Sequence, residues 1–193
     1  MDLNEAQQLA RRSMGDRRYQ HTLNVKALAV ELAEKYGADP QKAALAALLH
    51  DCAKELPKQE LLRIMQENVI IADNGPIRPA PVWHGICAAI LARTQWGVAD
   101  EEVLSAVACH TTGKPDMSML DKIIFLADMT CAERDFPGVD ELRALTKQDI
   151  DRAMIAALQQ TIDFVQQSGK TVDSMSRKAL EYLLEYSSIS EQN

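Results

Sequence analysis

The sequence predicts an all-α fold, a multi-helix bundle formed by one domain that spans residues 1–193. The first reason is composition, because only 5% of the residues are aromatic and Leu, Ala, Glu and Gln outweigh Val, Thr and Tyr. The second is organisation, because helix-type segments are separated by short Gly, Pro and Asp signals, with no repeat and no low-complexity linker. A chain of this length buries roughly two-thirds to three-quarters of its unfolded surface, which is enough for one core.

The first two helices are bounded by recognisable signals. A short helix is expected over about residues 3–13. Asp16 is predicted to cap the second helix, since a short polar side chain there can accept hydrogen bonds from the first free amides. This helix should run to Tyr36 and stop at Gly37, a typical C-terminal glycine.

The third and fourth helices begin at proline signals. Asp39 and Pro40 open the third helix, because proline is well tolerated at the first helical position. It is expected to end after Lys54 and before Pro57. Pro57 then starts a helix that reaches about Asn68.

The segment Val69 to Val82 is expected to be irregular, because Pro76, Pro79 and Pro81 exclude a regular helix. A long loop of this kind is either a lid over a site or a plain connection, and the sequence leaves both open. Beyond it, several segments start with acidic or hydroxyl residues, which are typical of helix N-termini. These helices are expected near residues 83–96, 100–110, 118–132, 139–147, 149–167 and 172–187.

Charge and cysteine usage restrict the class of protein. The net charge of -7 argues against a protein that coats nucleic acid or an anionic membrane through its general surface field. The four cysteines form no C-x-x-C pair, which argues against a disulfide scaffold or zinc finger and favours a reducing compartment. No signal pattern and no run of ~20 apolar residues is present. We therefore expect a cytoplasmic protein with a small-molecule partner, and the sequence leaves a homodimer open.

All the histidines lie on apolar helix faces. His21, for example, shares its face with Val25 and Leu28, which follow it at helical spacing. Because a core-facing stripe covers about 3/7 of a helix, four randomly placed residues would all fall on it in roughly one case in thirty. The four histidines of the chain are His21, His50, His84 and His110.

Asp128 repeats this pattern, since it follows Leu120 and Ile124 on one apolar stripe. An unpaired carboxylate there would cost several kcal/mol. Any single residue of this kind is more often a satisfied core histidine or a salt-bridged aspartate, but five together favour a metal site inside the bundle. His50 and Asp51 are adjacent, so both reach one centre only if it lies near the end of their helix.

Five ordered motifs resemble the HD-domain superfamily and, within it, the YqeK-type symmetrical bis(5'-nucleosyl)-tetraphosphatases. The match runs from about Arg18 to Gly138, and the helices of 139–187 are expected to pack on this core. The dipeptide HD alone is a weak signal, whereas five motifs in order are a strong one. The motifs are RYQHT, LLHDCAK, WHG, HTTGK and FLADMTCAERDFPG.

The resemblance implies a site with two metal ions. One ion would be held by His21, His50, Asp51 and Asp128, and the second by His84 and His110, with Asp51 bridging. Iron is the metal that the family is reported to use, although nitrogen and oxygen ligands also suit manganese, cobalt, nickel and zinc. The chain departs from the family at one position, because Cys131 stands where the family motif has a glutamate.

The expected nucleophile is a hydroxide held by the two ions, with Asp51 as the bridging catalytic carboxylate. Arg18 and Lys54 each share a helix face with a ligand and can contact bound phosphate. Arg134 could neutralise charge on the transferring phosphoryl group. The alternatives are solvated surface charges for Arg18 and Lys54, and a simple turn residue for Arg134.

The turn that follows His110 is the other candidate for substrate binding. In the resembled family this stretch lies at the substrate, and the competing interpretation is a glycine C-cap with a lysine near the helix end. Asp121, further along, is interpreted as part of a capping box with Ser118. The turn consists of Thr111, Thr112, Gly113 and Lys114.

The leading hypothesis is hydrolysis of diadenosine tetraphosphate to two ADP. A second hypothesis keeps the site but changes the substrate to a nucleoside monophosphate, a deoxynucleoside triphosphate or a cyclic dinucleotide. A third, from a different class, is a regulatory or ligand-binding module whose metal only holds the helices together.

Overall fold

The computed structural model describes residues 1–68 and 78–190. Within those ranges the regular elements are helices, and there is no β-strand. The all-α prediction is therefore confirmed for the part of the chain that the structure describes. The ten helices are α1 (Leu3–Ser13), α2 (Asp16–Tyr36), α3 (Pro40–Leu49), α4 (Lys58–Glu67), α5 (Trp83–Thr94), α6 (Glu101–Cys109), α7 (Met119–Thr130), α8 (Val139–Gln148), α9 (Ile150–Gln167) and α10 (Ser174–Ser190).

The predicted irregular segment Val69 to Val82 lies mostly outside the described residues. Its described end contains a short 3-10 helix, Ala80–Val82, directly before α5. A proline at the start of this turn is tolerated because its missing amide would be unpaired there in any case.

Two predicted helix boundaries are wrong. The N-cap of α2 is Gly15 and not Asp16, which is already helical, and its carboxylate pairs instead with Arg11 at 2.6 Å. Helix α3 ends at Leu49 and not at Lys54. The residues after Leu49 form tight turns, in which the amide of Cys52 donates to the Leu49 carbonyl at 3.1 Å. Such turns satisfy the free carbonyls of a helix end.

The alanine-rich helix α3 lies at the centre of the bundle. It contacts α1, α2, α5, α6 and α7, and its residues Ala43, Ala46 and Ala47 have no exposed surface. Small side chains let the neighbouring helices approach closely, so the end of α3 meets several of them. Helices α8 and α9 pack on α7, and α10 packs on α9. None of the helices described here has both the length and the apolar character required to cross a membrane.

Candidate metal centre

The predicted ligands come together from five elements. His21 comes from α2, Asp128 from α7, and His84 from the first turn of α5, while His50 and His110 directly follow α3 and α6. Their imidazole rings form a chain, with centroid distances of 5.6 Å from His21 to His50, 5.0 Å from His50 to His110, and 5.0 Å from His110 to His84. Residues of α2 and α7, of the first turn of α5 and of the turns after α3 and α6 thus converge on one cluster.

Asp51 lies at the middle of the cluster. Its Oδ1 is 3.2 Å from Nε2 of His84 and 3.8 Å from Nε2 of His110. Its Oδ2 is 3.8 Å from Nε2 of His50. Because the helix has ended at Leu49, His50 and Asp51 both face this centre, as the sequence required. At the other end, Oδ1 of Asp128 is 2.9 Å from Nε2 of His21.

The buried histidines are oriented by backbone carbonyls. Nδ1 of His50 donates to Ala47, Nδ1 of His84 to Pro81 and Nδ1 of His110 to Val107, at 2.7, 2.9 and 2.8 Å. An imidazole that donates from Nδ1 presents a lone pair at Nε2, which is the arrangement of a metal-bound histidine.

Two observations indicate that these lone pairs could coordinate a cation. Nε2 of His50 is fully buried and has no hydrogen-bond partner among the described residues. Nε2 of His84 and Nε2 of His110 are only 3.1 Å apart, so two lone pairs face each other. A metal cation bound to these nitrogens would give Nε2 of His50 a partner, and it would relieve the repulsion between the lone pairs of His84 and His110. The groups whose ligand atoms lie within 4.8 Å of one another include His21, His50 and Asp51; His50, His110 and Asp128; and Asp51, His84 and His110.

Protonation states agree with this interpretation. Burial, aided by His50 and His84, lowers the pKa of His110 to about 3, and burial also lowers the pKa of His84. Burial would raise the pKa of Asp51, but its electrostatic interactions with the neighbouring imidazoles and with Lys54 hold it well below its usual value. Neutral imidazoles and ionised carboxylates are the forms that bind metal ions.

His21 behaves differently from the other histidines. Burial lowers its pKa, but hydrogen bonds to Asp128, Cys131 and Glu133 outweigh burial and raise the pKa to about 10. In the metal-free protein this ring therefore carries a second proton at neutral pH. A metal ion at Nε2 would replace that proton, which is the usual competition between protons and metal.

Three cationic side chains surround the cluster. Arg18 pairs with Asp51 at 2.6 Å, and the guanidinium of Arg134 donates to both the carboxylate and the backbone carbonyl of Asp128. Nζ of Lys54 lies 3.1 Å from Nε2 of His84. All three sequence-predicted cations therefore lie at the cluster, and their contact with phosphate stays a prediction.

The turn after His110 divides into two parts. Gly113 has a φ of +64° and donates its amide to the Cys109 carbonyl at 2.8 Å, which is the glycine C-cap. Nζ of Lys114 pairs at 3.1 Å with Asp121, whose side chain is fully buried, and Thr112 accepts a hydrogen bond from Arg78. Asp121 also completes the predicted capping box with Ser118, which is confirmed. Substrate binding by these turn residues stays a prediction.

Thr111 differs from the rest of the turn. Its Oγ1 is buried without a hydrogen-bond partner among the described residues. It lines a cavity of about 220 Å³ beside the cluster, together with His110, Asp128, Arg134 and the apolar side chains Phe125, Met129 and Phe136. A larger cleft of about 530 Å³ lies between α2 and α8, and none of the six predicted ligands lines its described part. Two of the predicted ligands, His110 and Asp128, line the smaller cavity, so it lies beside the cluster.

One neighbour of the cluster was missed by the sequence analysis. Glu133 approaches Nδ1 of His21 at 2.5 Å, although the motif comparison directed attention to position 131. Sequence spacing alone could not reveal this contact, because Glu133 lies in the turn after α7, and no helical periodicity applies there. The nearest signal was its place between two motif residues, Cys131 and Arg134.

An all-helical domain that brings four histidines and two aspartates from different helices into one cluster belongs to the class of helical bundles whose cores can hold a metal. Comparison with known families identifies the family within this class. The family model described as the HD domain matches residues 18–133, and the chain belongs to this family.

Similar proteins cover most of the chain. A "Bis(5'-nucleosyl)-tetraphosphatase, symmetrical" from Halalkalibacterium halodurans is 42% identical, covering 86% of this chain and 88% of its own. The protein of the same name from Bacillus subtilis is 38% identical, covering 89% and 92%. A crystal structure of a predicted HD superfamily hydrolase involved in NAD metabolism, from Clostridium acetobutylicum, matches with a TM-score of 0.91 and 36% identity, covering 96% and 98%.

Proposed function

We propose that the protein is a symmetrical bis(5'-nucleosyl)-tetraphosphatase, which hydrolyses diadenosine tetraphosphate to two molecules of ADP. The observation that carries the proposal is the similarity to relatives of that name, at 38% and 42% identity over more than four-fifths of the chain. The buried cluster of histidines and aspartates supports a metal-dependent reaction at the same place.

The proposed ligand sets are those that the family resemblance implies. His21, His50, Asp51 and Asp128 would hold one metal ion, and His84 and His110 a second, with Asp51 bridging. Iron is the proposed metal, and manganese, cobalt, nickel and zinc suit the same nitrogen and oxygen donors. When bound, the ions supply Lewis acidity, which stabilises negative charge on a phosphate and makes water a better nucleophile near neutral pH.

The chain's own cations bind and orient the polyphosphate. Arg18 and Arg134 each pair with an aspartate of the cluster, and their side chains are 31% and 39% exposed, respectively. When the aspartates bind metal, these guanidinium groups can turn to phosphate oxygens, for which their planar geometry is well suited. Lys54, beside His84, adds a third positive charge at the same edge of the site. The protein is acidic overall, so we expect this local group of cations to attract the polyphosphate.

The leaving group needs little help from the protein. Cleavage at an inner phosphorus expels a nucleoside diphosphate, whose terminal phosphate is a weak base with a pKa of roughly 6 to 7. A strong general acid is therefore unnecessary. Arg134 lies beside Asp128 and lines the cavity, which supports a role in neutralising the charge that develops on the phosphoryl group.

Product analysis tests the proposal. Protein loaded with iron or manganese is incubated with diadenosine tetraphosphate, and the nucleotides are separated by chromatography. ADP as the sole product is the expected result. AMP with ATP would contradict the symmetrical cleavage, and no product at all would contradict the enzyme assignment for this substrate.

A substrate panel separates the alternatives. It contains nucleoside mono- and triphosphates, cyclic dinucleotides and NAD, the last because the similar Clostridium protein is described as involved in NAD metabolism. If the protein hydrolyses one of these compounds faster than diadenosine tetraphosphate, that compound becomes the proposed substrate. If metal removal lowers stability but the loaded protein turns over none of the panel, the protein is a regulatory module.

A further inference from the structure

His21 lacks the support that holds the other three histidines. Those three donate from Nδ1 to carbonyls of a helix end or a tight turn, where no helical amide competes for the oxygen. His21 instead lies inside α2, where the preceding carbonyls accept the helix's own hydrogen bonds. Its Nδ1 must therefore find a side chain as partner.

That partner is Glu133. Its Oε1 lies 2.5 Å from Nδ1 of His21, and its Oε2 accepts a hydrogen bond from Nδ2 of Asn24 at 2.6 Å. Asn24 is three residues after His21, so both lie on the same face of α2. Gln20 in turn donates to Oδ1 of Asn24 at 3.1 Å. The carboxylate thus bridges two side chains of one helix, which fixes its orientation.

The turn that carries Glu133 is itself held in place. Arg143, from α8, donates to the carbonyls of Thr130, Cys131 and Arg134 at 3.0, 3.0 and 2.5 Å. These contacts fix the backbone on both sides of Glu133. The packing of α7 and α8 therefore fixes the backbone from which the Glu133 carboxylate reaches α2.

Cys131 occupies the family's glutamate position, but it is the weaker partner. Its Sγ is 3.6 Å from Nδ1 of His21, and it also lies 3.5 Å from the Asp128 carbonyl. A thiol is a poor hydrogen-bonding group compared with a carboxylate. In this chain the carboxylate that contacts Nδ1 of His21 belongs to Glu133, two residues after Cys131.

We propose that Glu133 is a positioning residue for His21, and that with Asn24 it holds the ring so that Nε2 faces Asp128 and a metal ion. The inference rests on the proposed role of His21 as a metal ligand. A carboxylate that accepts the Nδ1 proton of a metal-bound histidine fixes the tautomer and the ring orientation, and it makes Nε2 a stronger donor.

The test uses metal binding, which does not depend on turnover. Chelator-treated full-length protein is titrated with Co²⁺ alone, followed by visible absorption and elemental analysis. In Glu133→Ala we expect one of the bound ions to bind roughly 10 to 100 times more weakly, the usual cost of losing such a partner. Glu133→Asp and Glu133→Gln should recover part of the affinity. Asn24→Ala should show a smaller loss, because the carboxylate loses its anchor.

Asp135→Ala is the matched control, because Asp135 is an exposed carboxylate of the same turn. It should bind Co²⁺ as the wild type does. Equal affinity in Glu133→Ala and the wild type would overturn the proposal, and so would an equal loss in Asp135→Ala. A lower unfolding free energy of metal-free Glu133→Ala with an unchanged Co²⁺ spectrum would show a purely structural role and would also overturn it. If the wild type binds no Co²⁺, the metal-dependent function fails together with this inference.

Discussion

His84 and His110 face each other with their Nε2 atoms 3.1 Å apart, while each donates from Nδ1 to a carbonyl three residues earlier. The carbonyls fix both rings in the tautomer that leaves Nε2 as an acceptor, so the close approach brings two lone pairs together. Nearby, Oδ1 of Asp51 lies 3.2 Å from the first of these atoms. Three acceptors that converge in a buried place are stabilised by a shared cation, and this relationship underlies the predictions that follow.

Metal removal is expected to destabilise the protein. An ion present at a hundred times its dissociation constant stabilises the folded state by about 2.7 kcal/mol. For a protein of this size that corresponds to a fall of roughly 5 to 10 °C in melting temperature on treatment with a chelator. Thermal unfolding followed by circular dichroism measures it. Re-addition of Mn²⁺ should restore the original value, and an identical melting curve with and without chelator would contradict a bound metal.

Gly85→Ala is expected to disturb the metal centre more than the helix. A Cβ at this position would lie 3.1 Å from the His110 ring and 3.1 Å from the Val107 carbonyl, so the ring has to shift by a few tenths of an ångström. We expect a loss of roughly tenfold or more in kcat/KM, because small displacements in a site are costly. Gly15→Ala is the control, since a Cβ there meets only the Glu55 carboxylate at 3.9 Å. Wild-type activity in Gly85→Ala would show that the position of His110 is not critical.

Arg18→Met is expected to raise KM for diadenosine tetraphosphate by roughly tenfold or more. The reason is the loss of a charge-assisted hydrogen bond to phosphate, which contributes about 1.5 to 3 kcal/mol. Arg17→Met is the matched control, because Arg17 is the exposed neighbour on the same helix. Steady-state kinetics of both variants measures the difference. Equal KM values for the two variants would assign the Arg18 contact with Asp51 a purely structural role.

Lys114→Met tests which role the turn after His110 has. The substitution removes the charge partner of Asp121, whose side chain is fully buried. We expect the unfolding free energy in urea to fall by roughly 1 to 3 kcal/mol, while KM stays the same. Lys122→Met, on α7, removes a lysine whose partner Asp151 is exposed and can be solvated by water, so it is expected to cost less than about 1 kcal/mol. A large rise in KM with unchanged stability would favour the substrate contact that the family resemblance implies.

Helix content could be predicted because it depends on local chemistry. The end of α2 at Gly37, the cap of α3 at Asp39 and the capping box at Ser118 all involve contacts within a few residues, and the structure has each of them. The two boundary errors, at Asp16 and Lys54, arose where local signals for a helix cap or a continuing helix were overridden by other contacts. Asp16 pairs with Arg11 from the preceding helix, and the residues after Leu49 form turns.

The sequence by itself determined that the histidines and Asp128 lie on apolar helix faces. The structure buries His50, His84 and His110, whereas the side chains of His21 and Asp128 stay 13% and 19% exposed. It also determined the order of the motifs and therefore the family. Only the tertiary structure decided which nitrogen of each ring is available, that Asp51 lies between three imidazoles, and that Glu133 contacts His21. The physical reason is that periodicity specifies the face of a helix, whereas distances between side chains of different helices depend on how those helices pack.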